Sequence, residues 1–237
     1  MYGCETWGMN KVKNAETAYR QGLKAALSIR DCTNNEIVYV ESGEWPLEIR
    51  ISKQQLKFWA AIQDIVSTNP DHYISKLVAI GDATNYITYY KNLANTYTNT
   101  KNCSDTMKNY HKNIIKEKIE NAARSDPDSK LGTYFLVNPE LKAPVFDKKF
   151  EFQRVLITRY RTGSHNLRIE KDRRLPNSNR EDRVCSCNLG IQTIKHVILE
   201  CPLLQTVRAN YEIDSVEKGV SNDDYLMEME CVLGIKS

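Results

Sequence analysis

The sequence predicts a mainly α-helical protein with a small irregular module towards its C-terminal end. Two observations indicate the helices: apolar residues recur every three or four positions in several segments, and capping patterns or prolines stand at several of their borders. The third observation is the composition. With 41% hydrophobic and 27% charged residues among 237, the chain resembles folded globular proteins rather than disordered ones.

The first two helices are predicted from periodicity and from one capping pattern. Residues 14–29 place their apolar side chains along one helical stripe. Thr33 and Glu36 then match a capping box, in which a hydroxyl and a carboxylate each satisfy a backbone N–H of the first helical turn. A short helix is therefore expected from there to about Gly43, where glycine favours termination.

Three further segments have helical spacing in the first half of the chain. Pro46 suits the first turn of a helix that continues to about Ser67. Residues 73–97 are compatible with helix despite many threonines and asparagines. Residues 104–123 form a stronger pattern, with Ser104 as the expected N-cap.

The second half begins with a polar stretch, residues 124–130, that is typical of a linker. Residues 134–137 form a short apolar run, for which a strand or an extended brace is expected. Residues 148–161 again have helical spacing. These segments predict a mainly helical chain that is followed by a small irregular module.

The composition also bears on the cellular compartment. No apolar run approaches the roughly 20 residues that a membrane-spanning helix needs, and no secretory signal is visible. The seven cysteines are an odd number and are too sparse for a secreted disulfide scaffold. We therefore expect a reducing compartment, with an intracellular location that is nuclear, cytoplasmic or both, and no membrane partner.

Four potential metal ligands cluster near the C-terminal end: Cys185, Cys187, His196 and Cys201. Three thiolates and one imidazole complete the tetrahedral shell of zinc and leave no position for a substrate, so one structural Zn²⁺ is expected. His196 and Cys201 would lie within about a turn and a half of one helix. Thr193 is the expected N-cap of that helix, and Pro202 is its expected boundary. The alternative is a set of ordinary buried thiols beside an unrelated histidine. The single residue between Cys185 and Cys187 is shorter than the usual spacing in zinc sites.

A basic segment, residues 154–183, precedes the cysteine cluster. It contains nine basic and four acidic residues, and this surplus of five exceeds the net charge of +3 of the whole chain. Guanidinium groups bind phosphate with two hydrogen bonds and stack on bases, so RNA and/or DNA is the expected partner. A solvated helix face with internal ion pairs is the alternative. The predicted nucleic-acid contacts are Arg154, Arg159, Arg161, Arg168, Lys171, Arg173 and Arg174.

No catalytic residue can be named from the sequence. Asp223 and Asp224 are adjacent carboxylates, but their place before a helical pattern favours a role at the helix N-terminus. The histidines at 72, 111 and 165 have no nucleophile or carboxylate at an informative spacing, and no phosphate-binding glycine loop is visible.

Several segments together resemble the C-terminal region of the reverse transcriptases of non-LTR (LINE-type) retrotransposons. They follow in the order expected for that family over about residues 2–208. The RTGSHNL stretch followed by the cysteine–histidine cluster is the most specific part. The segments are YGCETW at residues 2–7, ESG at 41–43 with PL at 46–47, LKFW at 56–59, RYRTGSHNL at 159–167, RIE at 168–170, and the metal ligands with HVILECP at 196–202.

This resemblance implies three parts: a thumb-like helical region at residues 1–70, a helical connector at residues 71–147, and a basic, zinc-binding module at residues 148–237. The CCHC zinc knuckle of the last part is expected to engage template RNA or target DNA. The polymerase of that family uses aspartates of a palm motif, which the present sequence lacks, as it lacks an endonuclease. The expected function is therefore a zinc-stabilised nucleic-acid-binding fragment without enzymatic activity of its own. The alternatives are an accessory part of an RNA-directed DNA polymerase whose palm is encoded elsewhere, and a helical protein-interaction module with a structural zinc. Thirteen tyrosines together with Trp45 and Trp59 would serve such an interface, although core packing explains them as well.

Overall fold

The structure, a computed structural model, describes residues 12–80, 85–97, 103–144 and 151–235. It is mainly α-helical, as the sequence predicts, and contains no β-strand within these ranges. The first six helices are α1 Val12–Ala26, α2 Asn35–Ser42, α3 Leu47–Thr68, α4 Tyr73–Ile80, α5 Asn85–Tyr97 and α6 Cys103–Ser125.

The elements of the second half are shorter. Six α-helices follow: α7 Lys130–Val137, α8 Glu151–Arg161, α9 Arg168–Lys171, α10 Gln205–Asn210, α11 Val216–Ser221 and α12 Asp223–Leu233. Two 3₁₀ turns, Asp172–Arg174 and Pro202–Leu204, and one π-helical turn, His196–Glu200, complete this part.

The chain divides into two compact units. The first consists of residues 1–19 and 45–115, and the second of residues 20–44 and 116–237. The three-part organisation expected from the sequence is a functional division and stays a prediction.

The first unit has an aromatic and aliphatic core along α3. The ring of Trp59 stacks on Tyr90 at a centroid distance of 5.5 Å and an interplanar angle of 3°. Ile49 and Leu56 pack with Met107 of α6, and Trp45 packs against this cluster. Trp45 and Trp59, the two tryptophans suggested for an interface, therefore contribute to packing, and Trp59 is only 7% exposed.

The second unit has one larger core, to which the cysteines belong. Tyr160, in the last turn of α8, and Leu167, in the segment after it, are buried in one cluster with Ile198 and Leu226. Cys185 and Cys201 lie in the same cluster. The expected metal site is therefore part of the hydrophobic core of this unit rather than an appended loop.

The prediction of a strand or extended segment at residues 134–137 is wrong, because these residues form the end of α7. Ser129 caps this helix by accepting a hydrogen bond from the Gly132 backbone N–H at 3.0 Å. Tyr134 and Val137, three residues apart, are both buried, so the apolar run is one face of a helix. The expected linker is a short turn between α6 and α7.

Two caps also differ from the sequence prediction. Asn34 rather than Thr33 caps α2, and its side chain accepts a hydrogen bond from Glu36 N at 3.1 Å. The Thr33 hydroxyl instead lies 3.1 Å from that of Ser164, so a tertiary contact replaces the local cap. Ser104 lies inside α6 and is not its N-cap. Gly43 does terminate α2, with a left-handed φ of 65°.

None of the helices in the described ranges combines the length and hydropathy needed to cross a membrane.

Candidate metal centre

A hairpin-like turn presents the first two cysteines. Val184 and Ile191 form an isolated antiparallel bridge, and Cys185 N donates to Gly190 O at 2.8 Å. Asn188 takes the left-handed conformation, with φ of 59°, and its N–H bonds to Cys185 O at 2.8 Å. Asparagine tolerates this conformation well. The tight turn therefore brings two cysteines with one intervening residue towards the same point.

A single helical turn presents the other two ligands. Thr193 Oγ1 accepts a hydrogen bond from His196 N at 3.1 Å, which confirms Thr193 as the predicted cap. Residues 196–200 then form a π-helical rather than an α-helical turn, and Cys201 N donates to His196 O at 2.7 Å. The turn ends before Pro202, as expected. The wider turn holds His196 and Cys201, five positions apart, on one side.

The four side chains converge on one point. Their potential ligand atoms all lie within 4.8 Å of one another. Cys185 Sγ lies 3.7 Å from Cys201 Sγ, and Cys187 Sγ lies 3.2 Å from His196 Nε2. A tetrahedral zinc site with usual bond lengths separates two sulfurs by about 3.8 Å and a sulfur from a nitrogen by about 3.6 Å. The observed separations are within about 0.4 Å of these values, so the four residues fit a metal ion.

A disulfide does not explain the cluster. The separation of 3.7 Å between Cys185 and Cys201 is far longer than an S–S bond of about 2.05 Å. All three cysteines are free thiols, and Cys185 and Cys201 are buried at 1% and 0% exposure. The gathering of three thiols, two of them buried, and a buried imidazole around one point fits a closed metal site.

The thiols do not share one environment. Burial, followed by interactions with the neighbouring cysteines, raises the pKa of Cys201 to about 12. Burial also acts to raise the pKa of Cys187, but hydrogen bonds from the Leu189 N–H and the other two thiols outweigh it, so this pKa is lowered. The lowered pKa of Cys187 means that this thiol ionises more readily than Cys201, and a bound cation would favour the thiolate form of all three.

Neighbouring groups fix the orientation of the ligands. Leu189 N donates to Cys187 Sγ at 3.5 Å, and the guanidinium of Arg208 donates to Cys201 O at 2.7 Å. The Glu200 carboxylate lies 3.6 Å from His196 Nδ1, on the side of the ring opposite Nε2. Gly190 allows the close approach of the ring, because a Cβ there would lie 3.2 Å from His196 Nδ1.

The structure separates the basic segment into buried and exposed side chains. Arg161 is buried at the end of α8, and its guanidinium bonds to the fully buried carboxylate of Glu41 at 2.9 and 3.0 Å. Arg159 is half-buried and donates to Ser28 O at 3.3 Å. Arg154 is half-buried on the same helix. Arg161 is therefore occupied within the protein.

The exposed members lie on α9 and the 3₁₀ turn after it. Arg168 is exposed, donates to Val184 O at 3.0 Å and is 3.8 Å from Asp172. Lys171 is exposed, and the exposed Arg173 is 3.6 Å from Glu170. The side chain of Arg174 lies outside the described residues. The predicted contacts that remain accessible are therefore concentrated at residues 168–173.

A groove of about 440 Å³ lies beside the metal-binding turn, and we call it the basic groove. Arg168 and Lys171 are the charged side chains in its wall. Ser186, between the first two metal ligands, also lines it, and so does Gln192, whose Oε1 accepts from Arg168 N at 2.8 Å. Ser186 and Gln192 are not predicted from the sequence. Their positions within the loop of potential ligands could have indicated that they lie near the site, but the contact of Gln192 with Arg168 is long-range and has no sequence signal.

The remaining sequence candidates have structural explanations. Asp223 and Asp224 occupy the first turn of α12, which Asn222 caps by accepting from Tyr225 N at 3.0 Å. Acidic residues in a first turn favourably oppose the helix dipole. His72 Nδ1 accepts a hydrogen bond from Ile74 N at 3.2 Å.

Comparison of the chain with models of protein families, with curated proteins and with solved structures finds no match. The geometry of the metal cluster and of the basic groove is therefore the basis for a functional argument.

Proposed function

We propose that the chain binds one structural Zn²⁺ through Cys185, Cys187, His196 and Cys201, and that the adjacent basic groove binds RNA or DNA. The strongest support for this proposal is that four potential ligand atoms lie within 4.8 Å of one another in the core of the second unit. Zinc is the metal that three thiolates and an imidazole in tetrahedral positions favour. No position in such a shell remains for a substrate, so the metal would have a structural role.

The basic groove supports the nucleic-acid part of the proposal. Its charged side chains, Arg168 and Lys171, are both basic, and both are exposed. The ion pair of Arg168 with Asp172 is long, at 3.8 Å, and is worth little at a surface. Ser186 brings the metal-binding loop into the same groove. Zinc would hold this wall in place, so that nucleic-acid affinity depends on the metal.

The resemblance to the C-terminal region of non-LTR reverse transcriptases gives this proposal its context. Glu41, from the ESG segment, and Arg161, from the RYRTGSHNL segment, form a buried ion pair, so two segments that carry the resemblance belong to one folded unit. We place the chain, as a proposal, in the thumb, connector and zinc-knuckle part of such a polyprotein, without polymerase activity of its own. A palm encoded elsewhere would make it an accessory part of an RNA-directed DNA polymerase.

The zinc proposal is tested by metal analysis of the purified protein. We expect one equivalent of zinc in the wild type and in Cys231→Ser, an exposed cysteine outside the cluster. Cys187→Ser and Cys201→Ser should each lose it. A wild-type protein that is isolated without zinc and fails to bind added zinc would contradict the proposal.

The nucleic-acid proposal is tested by titrating single-stranded RNA and DNA at several salt concentrations, with and without a chelator. A Lys171→Gln/Arg168→Gln variant should bind less tightly and should lower the slope of log affinity against log salt by about 1.4 for single strands, since two phosphate contacts are removed. Lys76→Gln, which removes an exposed charge on α4, is the matched control. Affinity that is independent of salt, of zinc and of the double variant would refute nucleic-acid binding by the groove.

A helical protein-interaction module with a structural zinc is the second candidate. The observation that favours it is a groove of about 360 Å³ in the first unit with an almost wholly apolar wall, lined by Phe58, Ile65 and Leu77. Leu77 and Ile80 of α4 are 59% and 81% exposed. Such a module would retain zinc in the metal analysis and bind neither RNA nor DNA, so the same two experiments separate the candidates.

A further inference from the structure

The second unit contains another cavity, of about 390 Å³, which shares no lining residue with the basic groove. One wall is α7, and another is the segment that follows α8. Residues 193–195, directly before the metal ligand His196, close a further side. We call this space the α7 cavity. Its volume is in the range of sites that hold small organic ligands.

The wall of the α7 cavity combines apolar and basic side chains. Phe135, Ile169 and Ile194 supply apolar surface. Lys130, Arg161, Arg180 and Lys195 supply four positive charges, and Asp128 and Glu170 supply two negative ones, so the wall is basic overall. Lys130 is paired with Glu170 at 3.2 Å, whereas the pairing of Lys195 with Glu200 is longer, at 3.6 Å, and solvent-exposed. A ligand that suits this wall has a flat apolar part and a negative charge.

Arg180 has an unsatisfied hydrogen-bond donor. Its Nε is a buried nitrogen without a hydrogen-bond partner, and no other buried side-chain nitrogen or oxygen of the described residues lacks one. Asp128 pairs with Nη2 at 2.8 Å and leaves Nε unbonded. Buried donors are almost always bonded, because an unpaired one is unfavourable. The guanidinium as a whole is partly exposed, so phosphate can bind at its edge, and a shift of the side chain on binding would let a phosphate oxygen also accept from Nε.

We propose that the α7 cavity binds a nucleoside monophosphate, either free or as one nucleotide of a single strand. Arg180 and Lys195 supply contacts to the phosphate, and the apolar wall supplies contacts to the base. Thr193 lines the cavity and also accepts the hydrogen bond from His196 N, so the ligand and the metal act on the same turn. The proposal concerns a separate site and does not depend on nucleic-acid binding by the basic groove.

The test uses the full-length, zinc-loaded protein and isothermal titration with AMP, UMP, adenosine and inorganic phosphate. AMP or UMP should bind at least about tenfold more tightly than adenosine and phosphate, since only the nucleotide engages both parts of the wall. Arg180→Gln should weaken nucleotide binding about tenfold, as expected for the loss of one charge-assisted hydrogen bond. Lys76→Gln removes an exposed charge on α4, outside both sites, and as the control it should leave this affinity unchanged.

Lys195→Gln provides a second variant. Because the side chain of Lys195 is exposed, this variant should fold like the wild type, and it should also weaken nucleotide binding. Nucleotides that fail to bind at about 1 mM, or that bind equally to wild type, Arg180→Gln and Lys195→Gln, would overturn the proposal. Phosphate that binds as tightly as AMP would overturn it too, because the base would then make no contact.

A competing oligonucleotide distinguishes the two sources of the ligand. Displacement of AMP by a short single strand identifies one nucleotide of a strand as the ligand, whereas AMP binding without displacement identifies a free nucleotide. The two proposals can also fail separately. If the Lys171→Gln/Arg168→Gln variant loses strand binding but still binds AMP, the groove and the cavity are separate sites. If AMP does not compete with strand binding, the strand is bound by the groove alone.

Discussion

Two regions of the second unit bury polar groups in opposite ways. In the first, which we call the arginine network, the buried carboxylate of Glu41 accepts hydrogen bonds from Arg161 and from Tyr134 Oη at 2.7 Å. In the second, the metal cluster, three thiols and an imidazole face one another without a cationic side chain among them. The network contains its own counter-charge, whereas the cluster in its thiolate form would take one from a bound cation.

This difference shows which sequence patterns are the better indicators of function. Arginine in a basic segment suggests a contact with phosphate, but its charge is equally suited to a buried carboxylate of the same protein. For the cysteine–histidine set, whose atoms lie at tetrahedral separations, the distances exclude a disulfide, and ordinary thiols beside an unrelated histidine are the alternative to a metal site. The cluster is therefore the stronger guide to function, and the network is a guide to stability.

Removing the proposed zinc ion should have the largest effect. Structural zinc sites have apparent binding free energies of about 10–16 kcal/mol, which is as large as the whole stability of most domains. A zinc chelator should therefore unfold the metal-binding part of the second unit. Proteolysis at residues 184–204 with and without chelator measures this effect. Equal protection of this segment in both conditions would show that its core suffices without metal.

Breaking the arginine network should rank second. Glu41→Gln leaves the guanidinium of Arg161 buried without its counter-charge, which costs about 3–5 kcal/mol. Glu36→Gln, on the same helix, removes an exposed pair with Lys118 and should cost less than about 1 kcal/mol. Urea denaturation measures both. A Glu41→Leu/Arg161→Met variant should recover much of the loss, and equal costs for the two single variants would contradict a closed network.

The pH dependence of stability should come next. His165 is buried, its Nδ1 accepts a hydrogen bond from Leu167 N, and burial together with Arg30 and Lys130 lowers its pKa to about 3. Its pKa in the unfolded chain is about 6.5, so between these values the folded state binds fewer protons and stability falls as pH decreases. The expected loss from this residue is about 2 kcal/mol between pH 8 and pH 5.

His165→Asn should remove that part of the pH dependence. The unfolding free energies of wild type and variant are compared at each pH and at equal zinc concentration, so that protonation of the cysteine thiols affects both proteins alike. Parallel curves between pH 8 and pH 5 would contradict a neutral buried His165.

The smallest effect is expected at Gly190. In Gly190→Ala the new Cβ would lie 3.2 Å from His196 Nδ1, and the ring would have to shift by a few tenths of an ångström. A cost of about 1 kcal/mol, or about fivefold in zinc affinity, is expected. Gly22→Ala, in α1, meets no atom within 4 Å and should leave zinc affinity unchanged. Competition with a zinc-sensitive dye measures both, and equal affinities would show that the turn relaxes freely.

The local features of the fold were predictable from the sequence because neighbouring residues decide them. The helical stripe that begins after Pro46 gave α3, Gly43 ended α2, and Thr193 capped the metal-binding turn. The errors have a tertiary cause. Thr33 lost its capping role to Asn34 because its hydroxyl meets Ser164, and the apolar run of α7 was too short for its period to separate helix from strand.

The sequence by itself determined the helical class of the protein and the identity of its four potential metal ligands, since periodicity and ligand type are local properties. Tertiary structure decided which charges remain available. Arg161 lies 120 positions from Glu41, and Gln192 lies 24 positions from Arg168, so no spacing rule relates these partners. Only folding buries the first arginine in the core and leaves the second beside the metal-binding turn, because burial and pairing depend on contacts between distant segments.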